Sequence, residues 1–237
     1  MESSIKKTDG QPLLSDRLTE TPVRRRQFLQ YAGAGAAAAL VAWGCKKDNP
    51  GPDMGGKGFY FGSGDIAILN YAYALEQLEA AFYTEVISNP YGSISDWERA
   101  LMMDIRDHEI AHREFFKAAL GQHAIDSLAF DFSAVDFSSR GSVLATARTF
   151  EDLGVSAYNG AGWLIQDVNY LALAGKIVSV EARHAALVRD LIDNGSFAND
   201  EVVDANGLDL SNSPTVVLEA AGPFIKSKID VTDLPTY

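Results

Sequence analysis

Two Glu-x-x-His motifs, Glu109–His112 and Glu181–His184, lie in helix-like stretches, and each follows a lone glutamate. Glu76 stands 33 residues before Glu109, and Glu151 stands 30 residues before Glu181. Each lone glutamate has a tyrosine seven residues on, Tyr83 and Tyr158. The chain therefore reads Glu, Tyr, Glu-x-x-His, and then the same again. On a helix, residues i and i+3 differ by about 60° of rotation and about 4.5 Å of rise, so a Glu-x-x-His pair aims an oxygen and a nitrogen at nearly one point. Four helices in this order predict an all-α four-helix bundle whose axis receives four carboxylates and two imidazoles.

The helix boundaries follow from periodicity and punctuation. The first helix is expected over Asp65 to Ile87, where Leu69, Tyr73, Ala80, Tyr83 and Ile87 fall within about 60° of Glu76. Glu76 is thus a carboxylate in an apolar stripe, where an unpaired charge is costly. Asn89-Pro90-Tyr91-Gly92 ends it. The second helix opens on the capping-box sequence Ser95-Asp96-Trp97-Glu98 and runs to Leu120, with Gly121 as its stop. Residues 122–141 form a connection long enough to travel the length of a bundle, with Phe130, Phe132 and Phe137 spaced along it. The third helix is expected from Ser142 to Ile165 and the fourth from Asn169 to Ile192, stopping at Asn194-Gly195. The four-helix body thus covers 64–195. Residues 196–237 read as a polar extension packed on the bundle, with one short helix near Thr215 to Ala221. There is no sustained strand alternation and no short tandem repeat.

The convergence predicts chemistry. Glu76 shares one metal ion with His112 and Glu151 the other with His184, while Glu109 and Glu181 bridge. Four carboxylates carry −4, which two divalent ions cancel; without them the carboxylates repel and take up protons. Mixed oxygen and nitrogen donors suit iron(II) or manganese(II). A single helical Glu-x-x-His is an ordinary surface pair, and it is the doubled order with matched tyrosines that points to a centre. Glu79, one turn beyond Glu76 and also among apolar neighbours, is an alternative to it. His108, beside Glu109, is either an extra ligand or, more simply, an exposed or capping histidine; His123 reads as solvated. Arg113 and Arg183 offset local negative charge, and Met102 and Met103 read as core filler.

The chain ends bound its setting. Arg24-Arg25-Arg26-Gln27-Phe28-Leu29-Gln30 precedes a mild apolar run from Tyr31 to Trp43, which resembles a twin-arginine (Tat) export signal over residues 1–45. The run is short for a comfortable bilayer span, for which about 20 residues are needed, and an uncleaved short anchor is the alternative reading. Cys45, the only cysteine, sits where a bacterial lipobox places its acylated thiol, although Ala42-Trp43 departs from that pattern. No cysteine is left for a disulfide, an iron–sulfur cluster or a thiolate metal site. Lys46 to Ser63, with five glycines and two prolines, reads as a flexible linker. From residue 46 onward, 14 Lys and Arg stand against 28 Asp and Glu. Nucleic acid is excluded as a partner by the missing basic face.

Leu75-Glu76-Gln77-Leu78-Glu79-Ala80-Ala81-Phe82-Tyr83, Glu109 to His112, Glu151 to Tyr158 and Glu181-Ala182-Arg183-His184 together resemble the ferritin-like superfamily, in particular exported bacterial ferritin-like domain proteins with Tat signals. The resemblance implies a two-metal carboxylate centre, usually di-iron, that reacts with O₂ or peroxide in the ferroxidase or peroxidase manner. It also implies that Tyr83 and Tyr158 lie at the site, bonding a ligand carboxylate or passing an electron. Such sites often place Asp before the bridging Glu to orient a histidine; here His108 and Val180 stand there. A di-manganese catalase uses a similar ligand set and needs no electron donor. A metal-stabilised or metal-free structural envelope protein is the non-enzymatic reading. The expected setting is the periplasm or cell envelope, with the membrane engaged only through a lipid on Cys45, as a monomer or dimer. A hollow storage cage is not expected from a tethered chain with a long C-terminal extension.

Overall fold

The stretch from Asp65 to Ile87 contains neither glycine nor proline and is apolar on more than one face, which drives a helix formed from it to the centre of the body. In the computed structural model, which describes residues 59–237, this is α1 (Gly64–Ser88), and every residue from Ala67 to Ala80 is buried. α2 (Asp96–Leu120) begins where Ser95 Oγ accepts from the Glu98 amide at 3.1 Å, and it ends at Gly121, whose φ of 54° is left-handed. The capping box is only half made. The Glu98 carboxylate turns instead to the Tyr91 hydroxyl and the Arg140 guanidinium, each at 2.8 Å.

α3 (Arg140–Gly162) starts two residues earlier than expected, because Ser139 caps it, and stops three residues sooner. α4 (Val168–Ile192) begins behind Asp167, which accepts from the Asn169 amide. α1 packs along α2, α3 packs along α4, and α1 meets α3, so the two helical hairpins join through their first members. Asp65 on α1 accepts from the amides of Gln166 and Asp167, tying the α3–α4 turn to the other hairpin.

The crossover between the hairpins is pinned by polar side chains from the buried face of α1. Asn70 donates to the carbonyls of Phe61 and His123 and accepts from the Ile125 amide, and Gln77 accepts from the Leu128 amide. These satisfy backbone groups that a buried loop would otherwise leave unpaired. Phe132 and Phe137 then pack against Phe82 from α1, and Phe82 meets Phe150 of α3 at 5.1 Å.

After α4 the chain forms α5 (Pro214–Ala221), whose Val217 and Ala221 are fully buried in the core. Arg189 on α4 bonds Asp152 of α3 together with Asn199 and Glu201, and Asn212 bonds Ser156 through both backbone and side chain. Two short strands, β1 (Phe59–Tyr60) and β2 (Ile229–Asp230), pair in parallel. Phe59 to Ser63 therefore do not behave as the end of a tether. The apolar run Phe59-Tyr60-Phe61 has a strand partner, and Phe61 is fully buried. Met103 is likewise a correction: Met102 is in the core, but Met103 lies on the outer face of α2. The Tat-like segment, Cys45 and linker residues 46–58 lie outside the described residues. Among the described residues no helix is long and apolar enough to cross a membrane.

Candidate metal centre

Six side chains meet on the bundle axis, one from each of α1 and α3 and two from each of α2 and α4. Glu76, Glu109, His112 and Glu181 place one ligand atom each within 4.8 Å of one another, and so do Glu109, Glu151, Glu181 and His184. Glu109 and Glu181 belong to both groups, and each divides its two oxygens between them. His112 Nδ1 lies 2.8 Å from Glu181 Oε1, 3.3 Å from Glu76 Oε2 and 3.6 Å from Glu109 Oε2. His184 Nδ1 lies 2.8 Å from Glu109 Oε1, 3.6 Å from Glu151 Oε2 and 3.8 Å from Glu181 Oε2. The four glutamates are completely buried, and His184 nearly so.

These atoms face a shared point; the His112–Glu181 and His184–Glu109 contacts are close enough for ion pairs but lack hydrogen-bond geometry. Both oxygens of Glu109 and Glu181, Oε2 of Glu76 and Glu151, and Nδ1 of His112 and His184 are buried without a hydrogen-bond partner. Buried polar atoms are rarely left so, because each costs its desolvation. Eight such atoms around two points are what two cations would satisfy. The donor set of four carboxylates and two imidazoles, without a thiolate, fits iron or manganese.

The remaining oxygen of each lone glutamate is engaged by the opposite hairpin. Tyr83 of α1 donates to Glu151 Oε1 of α3 at 2.5 Å, and Tyr158 of α3 donates to Glu76 Oε1 of α1. Burial pushes both phenols well up, so they remain protonated donors. Each tyrosine thus serves the carboxylate of the other repeat. The periodicity of one helix could not reveal that exchange, which depends on how the hairpins dock.

Electrostatics describe the state without cations. Burial, then repulsion from Glu181, raises Glu76 and takes Glu109 well above the usual carboxylate range. Burial raises Glu151 against the pull of His184. Burial opposes ionisation of Glu181 too, but the close His112 and His184 rings win and hold it down to about 2. Those carboxylates likewise overcome burial to lift His112 to about 12 and push His184 up. Protons take the place of metal charge.

Glu79 joins neither group of four. It points across to α3, where Gly154 occupies the position three after Glu151 that Glu79 occupies after Glu76. A Cβ at Gly154 would lie 3.0 Å from Glu79 Oε1 and 3.8 Å from Glu181 Oε2, so the missing side chain makes room for this carboxyl. Burial and the surrounding carboxylates raise Glu79 well above its usual range. Among the other candidates, Arg113 pairs with Glu114 and Arg183 bonds Ser179, both away from the axis. His123 is exposed, and its carbonyl holds Asn70. His108 is exposed, yet its Nδ1 reaches His184 Nε2 at 2.9 Å. Its sequence gave no sign of this beyond adjacency to Glu109.

The buried acid–histidine cluster is compatible with metal ions and marks a metal-binding protein. Comparison with the curated proteins finds no match. The family model described as ferritin-like domain matches residues 64–194, from the first residue of α1 to just beyond α4, and the chain belongs to the ferritin-like domain family.

Proposed function

We propose that the protein holds two divalent metal ions, iron in its native setting, and uses them to pass electrons from Fe(II) or an external donor to O₂ or peroxide. The observation that carries this reading is the set of eight buried ligand atoms around two points, none with a hydrogen-bond partner. Glu76 and His112 would hold one ion, Glu151 and His184 the other, and Glu109 and Glu181 would hold both. When bound, such a pair supplies two adjacent redox-active centres able to share a small oxygen species.

The protein's own groups prepare that chemistry. Tyr83 and Tyr158 occupy one oxygen of each terminal glutamate, which leaves the other oriented toward the axis. The four carboxylates contribute −4, matched by two divalent ions. Glu79 belongs to neither group of four, and burial disfavours its ionised form. Complete burial of the glutamates excludes bulk water and keeps the carboxylates aimed without competition from solvent. The acidic surface concentrates cations near the molecule.

Metal analysis of protein purified from its own host tests the reading. Two iron ions per chain, both lost in Glu109→Ala and His184→Ala, are expected, together with consumption of O₂ or peroxide when Fe(II) is supplied. Manganese with oxygen evolved from peroxide would replace it by the catalase reading. Unchanged metal content and peroxide sensitivity in both variants would leave a structural protein.

Export is part of the proposal and rests on Arg24 to Leu29 and the apolar run that follows. The twin-arginine route carries folded proteins, so the centre is loaded before it leaves the cytoplasm. Replacing Arg25 and Arg26 by Lys should trap the protein inside the cell. Cys45→Ala should release it from the membrane fraction if the thiol carries lipid.

A further inference from the structure

Besides Glu79 and Gly154, the two repeats differ at a second place that touches the centre. Immediately before the bridging glutamate, α2 carries His108 and α4 carries Val180. The His108 and His184 rings are nearly parallel, 10° apart with centroids separated by 5.1 Å, and His108 Nδ1 lies 2.9 Å from His184 Nε2. Val180 has no nitrogen or oxygen in its side chain to offer His112 in return. The described residues accordingly show no side-chain hydrogen bond to His112 Nε2.

We propose that His108 is a positioning residue for His184 and that it makes the two metal positions unequal, the one containing Glu151 and His184 being the tighter. The inference rests on the proposed two-metal reading. A ring nitrogen binds a cation through its lone pair. With His184 Nδ1 aimed at Glu109, Glu151 and Glu181, its proton belongs on Nε2. Nε2–H then donates to His108 Nδ1, and His108 carries its own proton on Nε2. This bond selects the useful tautomer of His184, fixes the ring plane and strengthens Nδ1 as a donor, the role that outer partners of metal-bound histidines perform. His112 has no such support from α4. The ions therefore enter in order, the His184 position first.

Two measurements test this. Anaerobic titration of the metal-free full chain with Co(II), read by its visible spectrum, is expected to fill two positions in separate phases. His108→Phe should weaken the first phase by about 10- to 100-fold and leave the second unchanged. His108→Asn, whose amide oxygen replaces Nδ1 as acceptor, should restore it. In zinc-loaded protein, nitrogen NMR of the four histidines should find the Nε2-protonated tautomer at both His184 and His108. His108 is exposed, so neither variant disturbs the core, and the NMR readout needs no variant.

Equal phases in the unaltered protein, a His108→Phe titration matching it, or a His108→Asn titration as weak as Phe would overturn the inference. So would a proton on His184 Nδ1 in the zinc form. Binding of no metal at all would instead overturn the two-metal reading and take this inference with it.

Discussion

Tyr83 and Tyr158 are the residues at which the two halves of the molecule depend on each other most directly. Each closes one oxygen of a glutamate that belongs to the other hairpin. Phenylalanine would keep the ring packing and remove only the donor, leaving Glu151 Oε1 or Glu76 Oε1 buried and unpaired. Each variant, Tyr83→Phe or Tyr158→Phe, should lose about 1–3 kcal/mol of metal-free stability in denaturant unfolding. Each should also release metal faster to a chelator, because the freed carboxylate is no longer held in one orientation. Gly154→Ala should act on the same site from a different side: its Cβ crowds Glu79 Oε1 and approaches Glu181. Displacement of Glu79 would appear as altered metal spectra with the helical content unchanged.

These residues also show what could be read from the chain. The seven-residue step from Glu to Tyr was visible, since two helical turns return to the same face. So was the division into lone glutamates and those that face both groups of four, because the motif order carries it. The exchange of tyrosines between hairpins was not visible, nor was the reach of His108 to His184, because both arise only when separate helices dock. Glu76 and Glu79 could not be separated by burial pattern, since α1 is buried all round over that stretch. Convergence separates them: Glu76 joins a group of four ligand atoms and Glu79 joins none, its carboxyl lying against Gly154.

At the scale of elements, α1 acts as the mast to which the rest is tied. Its polar residues Asn70 and Gln77, set in an apolar helix, hold the crossover backbone. The C-terminal extension is fastened with comparable closeness. A Cβ at Gly160 of α3 would run into the carbonyl of Asn212, whose amide bonds the Ser156 carbonyl at 3.0 Å. The extension lies directly on the helix backbone there. Gly160→Ala gains helix propensity of about 1 kcal/mol but cannot keep that contact. The prediction is a net loss of about 1–3 kcal/mol, as for other overpacked sites, with faster proteolysis confined to residues beyond 196. If the alanine variant proves more stable than the parent and equally resistant, the extension does not depend on this approach. Sequence marked residues 196–237 as a polar extension packed on the bundle with one short helix, but not what fastens it, because its anchors, Asn212 with Ser156 and Phe224 against Phe150, join positions far apart in the chain.

Over the whole molecule, the centre couples stability to both pH and metal. In the metal-free protein, Glu79 and Glu109 have carboxyls raised well above their ordinary 4.5, so the folded state keeps protons that the unfolded chain has released. Stability therefore falls as pH rises through that window. His112 acts in the same direction: its contribution is complete below 6.5 and drains away as pH climbs toward about 12. Glu181 acts oppositely, its contribution fading as pH falls from 4.5 to about 2. The metal-free protein should thus be most stable under mildly acidic conditions and melt at progressively lower temperature between about pH 6 and about pH 9. Bound cations replace those protons as the partners of the carboxylates, and the stabilisation they add grows as competition from protons fades. Melting curves with and without chelator should therefore diverge with rising pH, the metal-loaded form staying nearly level. Parallel curves over the same range would mean that the buried carboxylates do not exchange protons for metal, and that the cluster stabilises the bundle in some other way.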